Sequence, residues 1–174
     1  MKRTVARVGL PCAVALLVAG CGFHLRTWDL GTALRAVHID TDATVDLDRE
    51  LTQAIRSANV RLTTDANDAD VVVKLTRQRQ NRRSASVTAG RAAEYEMSLS
   101  IRFALESPSG EVLTAASELT SERVARLDRD NIVGSSEEQA LLVREMRADL
   151  VDRIVRVLGA RSRVIAAAAD AGQG

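Results

Sequence analysis

The sequence predicts an α+β fold in which two helices pack on one face of a four-stranded mixed β-sheet. Several segments alternate apolar and polar residues, which is typical of half-buried strands, and two others repeat apolar residues at helical spacing. These segments occur in the order β-α-β-β-β-α. Because each segment is apolar on one side only, two layers are the simplest way to bury all of them. The chain has 174 residues, which is enough for one ordinary domain.

The first part of the predicted fold is one strand followed by one helix. Residues 36–39 read as the first strand. The helix follows from apolar residues that share one helical face, namely Leu47, Leu51, Ala54, Ile55 and Ala58. We expect Thr44 or Asp46 to cap its start, and Asn59 to end it in a left-handed conformation.

Three further strands are predicted to form an antiparallel meander. The second strand opens at residues 71–75 and leads through an arginine-rich segment to a hairpin tip. The third is the clearest, because side chains alternate from Glu94 to Glu106 with the apolar ones at odd positions. The odd-numbered face from Tyr95 to Leu105 should therefore be buried. Residues 107–110 form a tight turn by composition, and residues 113–119 continue the alternation in the fourth strand.

A capping box, either Ser135 with Glu138 or Ser136 with Gln139, predicts the start of the last helix. Gly159 is expected to end this helix. The domain is therefore assigned to residues 36–160, and residues 161–174 to a flexible C-terminal tail. The apolar stripe of the helix comprises Val143, Met146, Leu150, Ile154 and Val157.

The first twenty residues have the pattern of an export signal. Basic residues precede an apolar run from Val8 to Ala19, which is too short to span a bilayer. The run ends in Val-Ala-Gly-Cys, a lipobox whose cysteine is Cys21. We predict that residues 1–20 are a signal peptide, that Cys21 carries acyl groups, and that residues 21–35 form the lipidated N-terminus and a tether. Gly22, rather than the Asp that retains lipoproteins at the inner membrane, favours the periplasmic side of the outer membrane.

The composition excludes several classes of partner. The chain has 24 basic and 23 acidic residues, so its formal net charge of +1 gives no bulk attraction to nucleic acid. Aromatic residues are 2% of the chain, too few for platforms on which bases or sugars stack. Cys12 lies in the predicted signal peptide, which leaves Cys21 as the one cysteine of the mature chain and no disulfide.

No motif for catalysis or metal binding is present in the sequence. His24 and His38 have no cysteine or second histidine at ligand spacing, and no serine occupies a Gly-x-Ser-x-Gly elbow. The aspartates of residues 40–48 lack the glycine and the distal glutamate of an EF-hand. We therefore predict a protein that is not an enzyme and that needs no metal or other cofactor.

Arginines concentrate at the predicted hairpin tip and after the fourth strand, two places that lie at the same end of a meander. Guanidinium groups bind phosphates bidentately. The candidates for a phosphate-bearing ligand are Arg82, Arg83 and Arg91, with Arg126 as the weaker one. The alternative is that these arginines are solvated charges that discourage aggregation of sheet edges.

The residues after the predicted anchor, Cys-Gly-Phe-His-Leu-Arg at 21–26, resemble the signature that follows the lipidated cysteine in the LptE family of lipopolysaccharide-assembly lipoproteins. Residues 93–97 are similar to the opening of the family's third strand, and residues 138–146 to its last helix. The resemblance implies the fold given above. It also implies that the chain plugs the lumen of the LptD outer-membrane barrel, helps that barrel assemble and binds lipopolysaccharide.

The leading hypothesis is therefore a lipid-anchored plug and assembly factor for a barrel that exports lipopolysaccharide. Under this hypothesis Arg82, Arg83, Arg91 and Arg126 are the candidate lipopolysaccharide contacts. The alternative is a lipoprotein adaptor of another envelope transport system with a similar small domain.

Overall fold

A computed structural model of the protein describes residues 30–31, 34–87, 92–128 and 132–171. The predicted signal peptide, Cys21 and Arg91 lie outside these residues. Neither of the two α-helices in the described ranges combines the length and the apolar character needed to cross a membrane.

In the described ranges five strands form one mixed sheet in the spatial order β2-β1-β3-β4-β5. β1 runs parallel to both β2 and β3, whereas β3, β4 and β5 form an antiparallel meander. The strands are β1 (Ala36–Thr41), β2 (Arg61–Thr63), β3 (Val71–Val87), β4 (Ala92–Glu106) and β5 (Val112–Asp128). The helices are α1 (Asp48–Ser57), between β1 and β2, and α2 (Ile132–Ala171), after β5.

The predicted α+β class, the mixed sheet and the two helices are confirmed, but the prediction of four strands was wrong. β2 is the fifth strand and pairs in parallel with β1. Its three residues, Arg-Leu-Thr, are too few for an alternation of apolar and polar side chains to be recognised. β2 is followed by a single 3₁₀ turn, Ala66–Asp68. The carboxylate of Asp65 caps this turn by accepting a hydrogen bond from the backbone N–H of Asn67.

The core lies between the sheet and the two helices. The odd-numbered residues of β4 from Met97 to Leu105 are buried as predicted, and Tyr95 is half-buried. Burying one such aliphatic side chain contributes about 1.5–3 kcal/mol. The buried residues of β4 belong to one hydrophobic cluster that also contains residues of both helices and of the neighbouring strands. These are Leu51 and Ile55 of α1, Met146, Leu150 and Ile154 of α2, and Val37, Val71, Val73 and Leu75 of the sheet, among others.

The two ends of α1 differ in how well the sequence predicted them. Asn59 has φ of 61°, so its predicted left-handed conformation is confirmed. At the other end Leu47 is the N-cap residue, and no side chain forms a capping hydrogen bond there. The prediction that Thr44 or Asp46 caps the helix was therefore wrong. The carboxylate of Asp46 instead accepts hydrogen bonds from Gln78 and Arg147.

α2 is longer than predicted at both ends, and the predicted helix end at Gly159 was wrong. A Cβ at this position would lie 2.8 Å from Cδ2 of Leu30, so glycine makes room for a packed leucine rather than for a turn. Residues 161–171 of the predicted tail are helical, and Ser162 is buried. Leu30 and Leu34 also belong to the core cluster, whose last residue along the chain is Leu158.

Candidate functional site

A β-bulge in β3 decides which way the arginines of the predicted hairpin face. Between Thr76 and Arg79 two residues, Arg77 and Gln78, lie opposite the single residue Ile101 of β4. Arg77 has φ of 50°, in the left-handed region. Because side chains alternate along a strand, the extra residue reverses the pattern. Odd-numbered residues of β3 face the helices before the bulge, and even-numbered residues face them after it.

Arg82 lies on the helix side of the sheet, because it pairs with the buried Met97. Its guanidinium is 4.6 Å from the centroid of the Tyr95 ring and donates a 3.5 Å hydrogen bond to Oε1 of Gln139 in α2. A cation–π contact at an exposed site contributes about 0.5–1 kcal/mol. Arg82 therefore connects β3 to the first turns of the last helix.

Arg83 lies on the opposite, outer face of the sheet. Its Nη2 is 2.7 Å from Oε1 of Glu96. The hydrogen bond and the charge of Glu96 raise the pKa of Arg83 above its ordinary value. A shallow pocket of about 430 Å³ is lined by this pair together with Glu122, Arg123 and Val124, so charges of both signs are present. The side chain of Arg83 is 76% exposed, which leaves guanidinium donors free to contact a ligand.

Less is described of the other two candidate arginines, Arg126 and Arg91. Arg126 lies in β5 close to its end, and Arg91 falls outside the described residues. The start of β4 pairs with the end of β5, Ala92 with Asp128, so the hairpin and the end of the last strand do meet at one end of the sheet. Arg82, Arg83 and Arg126 therefore lie towards this end of the sheet, but Arg82 and Arg83 are on opposite faces of it. Their binding of lipopolysaccharide stays a prediction.

A set of contacts between β5 and α2, which the sequence analysis missed, is here called the polar seam and consists of Thr120, Ser121, Asp149 and Arg153. The hydroxyl of Ser121, 1% exposed, donates a 2.8 Å hydrogen bond to Oδ2 of Asp149. Arg153 binds both carboxylate oxygens, with Nε 3.1 Å from Oδ1 and Nη2 2.7 Å from Oδ2. Its Nη1 also donates to the backbone carbonyl of Thr120 at 3.1 Å. The seam thus fixes the helix along the strand.

Opposing influences act on the carboxyl group of Asp149. Burial is the largest single one and favours the neutral form. The hydrogen bonds from Ser121 and Arg153, with the charges of Arg153 and Arg123, favour the carboxylate and together prevail. The pKa of Asp149 is therefore lower than usual, and the ionised group belongs to the folded state.

Arg147 joins the two helices by a second polar network. It binds the carboxylate of Asp46, and its Nη1 lies 3.3 Å from Oε1 of Glu50 in α1. Gln78, from the bulge of β3, donates to the same Asp46 carboxylate. The bulge and the last helix therefore meet at the Asp46 carboxylate, and Arg147 extends this network to α1.

The described residues include no group of three or more His, Cys, Asp or Glu that could hold a metal ion. His38 lies in β1 with its ring Nδ1 3.0 Å from the carbonyl oxygen of Thr63, where it contributes to the pairing with β2. Apart from the pairing of Asp149 with Arg153 inside α2, the polar contacts described above connect one element of the fold to another. The exposed donors offer surfaces for binding.

This layered fold, with a long meander and a long terminal helix, is shared with bacterial lipoproteins of known structure. One is the rare lipoprotein B from Shewanella oneidensis, with 27% identity, a TM-score of 0.60, and coverage of 75% of this chain and 98% of that one. Another is an uncharacterized lipoprotein B from Nitrosomonas europaea, with 21% identity, a TM-score of 0.66, and coverage of 80% and 91%. The fold thus defines the chain as an α+β domain of the kind found in these lipoproteins.

The family model of LptE, described as lipopolysaccharide-assembly, matches residues 34–158. The LPS-assembly lipoprotein LptE of Photorhabdus laumondii is 32% identical over 164 residues, covering 91% of this chain and 87% of the relative. The protein of the same name from Pectobacterium atrosepticum is 28% identical over 150 residues, covering 82% and 79%. The chain therefore belongs to the LptE family, and the membership predicted from its sequence is confirmed.

Proposed function

We propose that this protein is a lipoprotein on the periplasmic side of the outer membrane that binds and plugs an LptD-type barrel, assists its assembly and takes part in lipopolysaccharide transport to the cell surface. The observation that carries the proposal is the family match over residues 34–158, which spans the whole sheet, α1 and most of α2. Relatives aligned over most of this chain bear the name LPS-assembly lipoprotein LptE.

Attachment to the membrane is proposed to occur through Cys21. The basic start, the short apolar run and the small residues before Cys21 fit removal of residues 1–20 and acylation of the cysteine. Several acyl chains on one residue give stable anchoring, because each buried methylene contributes about 0.8 kcal/mol.

The outer face of the sheet supports the proposed role as a plug. It is polar and carries ion pairs, such as Lys74 Nζ to Glu106 Oε2 at 2.8 Å and the pair formed by Arg83 and Glu96. The interior of an outer-membrane barrel is also polar. A surface with charges of both signs can therefore enter such a lumen without burying an apolar patch.

Lipopolysaccharide contacts are proposed for Arg82, Arg83 and Arg91, with Arg126 as the weaker candidate. Arg82 and Arg83 are both exposed, although each also contacts a neighbour in the fold. Because they lie on opposite faces of β3, they can contact one ligand only if it reaches around the hairpin end of the sheet. Two separate phosphate groups, as on lipid A, would suit donors placed in this way.

Co-purification tests the proposal. The full chain, tagged at its C-terminus, is extracted in detergent from cells of its own species, and an untagged strain serves as control. Retention of an LptD-type barrel on the tagged protein is the expected result. Recovery of components of a different transporter without the barrel would contradict it and would favour the alternative, a lipoprotein adaptor of another envelope transport system.

A role in assembly is tested separately by depleting the chain. Folded barrel, recognised by its altered mobility in unheated gels, should then decrease relative to an unrelated outer-membrane barrel in the same cells. Unchanged levels of folded LptD-type barrel would contradict the assembly role while leaving the binding result to stand on its own.

A further inference from the structure

Among the strands of the described ranges, β5 is an edge strand of 17 residues that pairs with β4 on one side only. In an antiparallel ladder a residue directs both its N–H and its C=O to the same side, and the next residue directs them to the other. The carbonyls of Thr120 and Glu122 accept hydrogen bonds from the side chains of Arg153 and Arg123, at 3.1 and 2.8 Å. The even-numbered residues of this part of β5 therefore direct their backbone groups to the free edge.

The helix α2 closes only part of this edge. Arg153 covers the carbonyl of Thr120, and Nε of Arg161 lies 3.2 Å from Oγ1 of Thr114. Towards its start the same helix lies further in over the sheet, since Gln139 contacts Arg82 of β3, two strands from the edge. Within the described residues no further strand lies beside the part of β5 from Glu122 to Asp128, where Glu145 of α2 reaches Nε of Arg123 at 3.9 Å. This part of β5 is called the open edge.

The open edge has a self-complementary sequence. Val124, an apolar side chain that is 62% exposed, lies near its middle. Glu122 precedes Val124 by two residues and Arg126 follows it by two. If two such strands pair antiparallel about a two-fold axis at Val124, the two valines are opposite each other and each Glu122 is opposite an Arg126. Apolar pairs and opposite charges placed in this way favour pairing of strands.

We propose that the open edge is a strand-pairing surface for a second copy of this chain, with the two-fold axis at Val124. The ladder is short, because Arg153 already occupies the carbonyl of Thr120, which the two-fold axis places at both ends. The carbonyl of Glu122 already accepts from Arg123 and takes the bond to the other copy as its second hydrogen bond. A small interface of this kind gives a weak dimer that forms as concentration rises. The proposal concerns the chain alone and does not depend on its proposed barrel partner.

Disulfide trapping tests the position of the axis. Val124 directs its backbone groups to the partner, so the two copies of Val124 form a hydrogen-bonded pair with Cα atoms about 5.5 Å apart, within the range of about 4.4–6.8 Å that a disulfide bridges. Val124→Cys in the full chain, purified in detergent and mildly oxidised, should give a covalent dimer on non-reducing gels. The wild type gives the baseline for any cross-linking through Cys12 or Cys21.

A matched control is available on the same strand. Val112 is 61% exposed, nearly the same as Val124, but it lies twelve residues from the proposed axis. Val112→Cys should cross-link no more than the wild type. Equal cross-linking of the two variants would show random collision and would overturn the proposal, as would the absence of a Val124→Cys dimer.

A charge exchange tests the register. In the Val124→Cys background, Glu122→Arg places an arginine opposite Arg126 of the other copy, and Arg126→Glu places two glutamates opposite each other. Either change should lower the yield of dimer several-fold, and the two together should restore it. Thermal melts confirm that each variant is folded. Single changes without effect, or a double exchange that fails to recover dimer, would contradict this pairing.

Discussion

Asp149 is the residue whose loss should weaken the polar seam most. In Asp149→Ala the hydroxyl of Ser121, 1% exposed, loses its acceptor. A hydrogen bond to a charged group contributes about 1.5–3 kcal/mol, and the exposed i,i+4 pair with Arg153 about 0.3–0.5 kcal/mol. Alanine regains up to roughly 0.7 kcal/mol through its higher helix propensity. The free energy of unfolding should therefore fall by about 1–3 kcal/mol.

The other members of the seam should matter less, in a fixed order. Ser121→Ala leaves the carboxylate partly exposed and still paired with Arg153, so we expect a loss of about 1 kcal/mol. Arg153→Ala keeps the bond between Ser121 and Asp149, and water can replace the guanidinium at the exposed carbonyl of Thr120, so it should cost no more than about 0.5 kcal/mol. Asp152→Ala, an exposed aspartate on the same helix, is the control and should stay within about 0.5 kcal/mol of the wild type. Urea unfolding followed by circular dichroism measures all four.

The pH dependence of the same variants tests whether the ionised carboxylate is responsible. Because the pKa of Asp149 is lowered in the folded state, its stabilising contribution is present above the ordinary aspartate value of about 3.9 and is lost as pH falls through the folded value. The stability difference between wild type and Asp149→Ala should be full near neutral pH and should shrink in acid. A difference that grows in acid, or an Arg153→Ala loss as large as that of Asp149→Ala, would refute the reasoning.

Three further predictions concern the core, the anchor and the ligand. Leu99→Ala, at a fully buried site of β4, should lower the free energy of unfolding by about 2–5 kcal/mol in urea, and a change within error would contradict its place in the core. Cys21→Ala should leave the precursor uncleaved and free of lipid by mass spectrometry, whereas a lipidated product would locate the anchor elsewhere. Arg82→Ala/Arg83→Ala and Arg91→Ala should each weaken lipopolysaccharide binding by about tenfold or more, most clearly at low salt. The double variant also loses the contacts with Tyr95 and Glu96, so its free energy of unfolding should fall by about 1–2 kcal/mol while circular dichroism shows it folded. Unchanged affinity would mean that these arginines are only solvated charges.

The fold could be predicted where a sequence pattern repeats along one element or where one residue has a strong conformational preference. The alternation along β4 extends over many residues, so its buried face followed directly, and Asn59 ended α1 as its preference for the left-handed region suggests. β2 could not be predicted because three residues show no period. Gly159 was misread for a different reason: its role is to accommodate Leu30, which is distant in sequence, and no local rule distinguishes that from a helix end.

The arrangement of the candidate site depended on contacts that the sequence does not display. Arg82 and Arg83 are adjacent in the chain and therefore looked like one cluster, yet the alternation of side chains along a strand places them on opposite faces. The bulge decides that Arg82 is the one that faces the helices. The spacing of Asp149 and Arg153 by four residues was visible in the sequence. Their bond to Ser121 was not, because it depends on the register between β5 and α2, which is set by packing.

The bulge offers a last test, because Arg77 adopts a left-handed conformation that costs a residue other than glycine about 1–2 kcal/mol. Glycine removes that cost but loses about 0.5–1 kcal/mol of backbone entropy on folding, so Arg77→Gly should be neutral or stabilising by up to roughly 1 kcal/mol. Arg79→Gly, in the regular ladder two residues later, should instead destabilise by about 0.5–1 kcal/mol in the same urea titration. If both glycines proved equally destabilising, Arg77 would not be left-handed in solution. Without the bulge Arg82 would face outward and Arg83 would face the helices, so the side of the sheet assigned to each arginine would then be wrong as well.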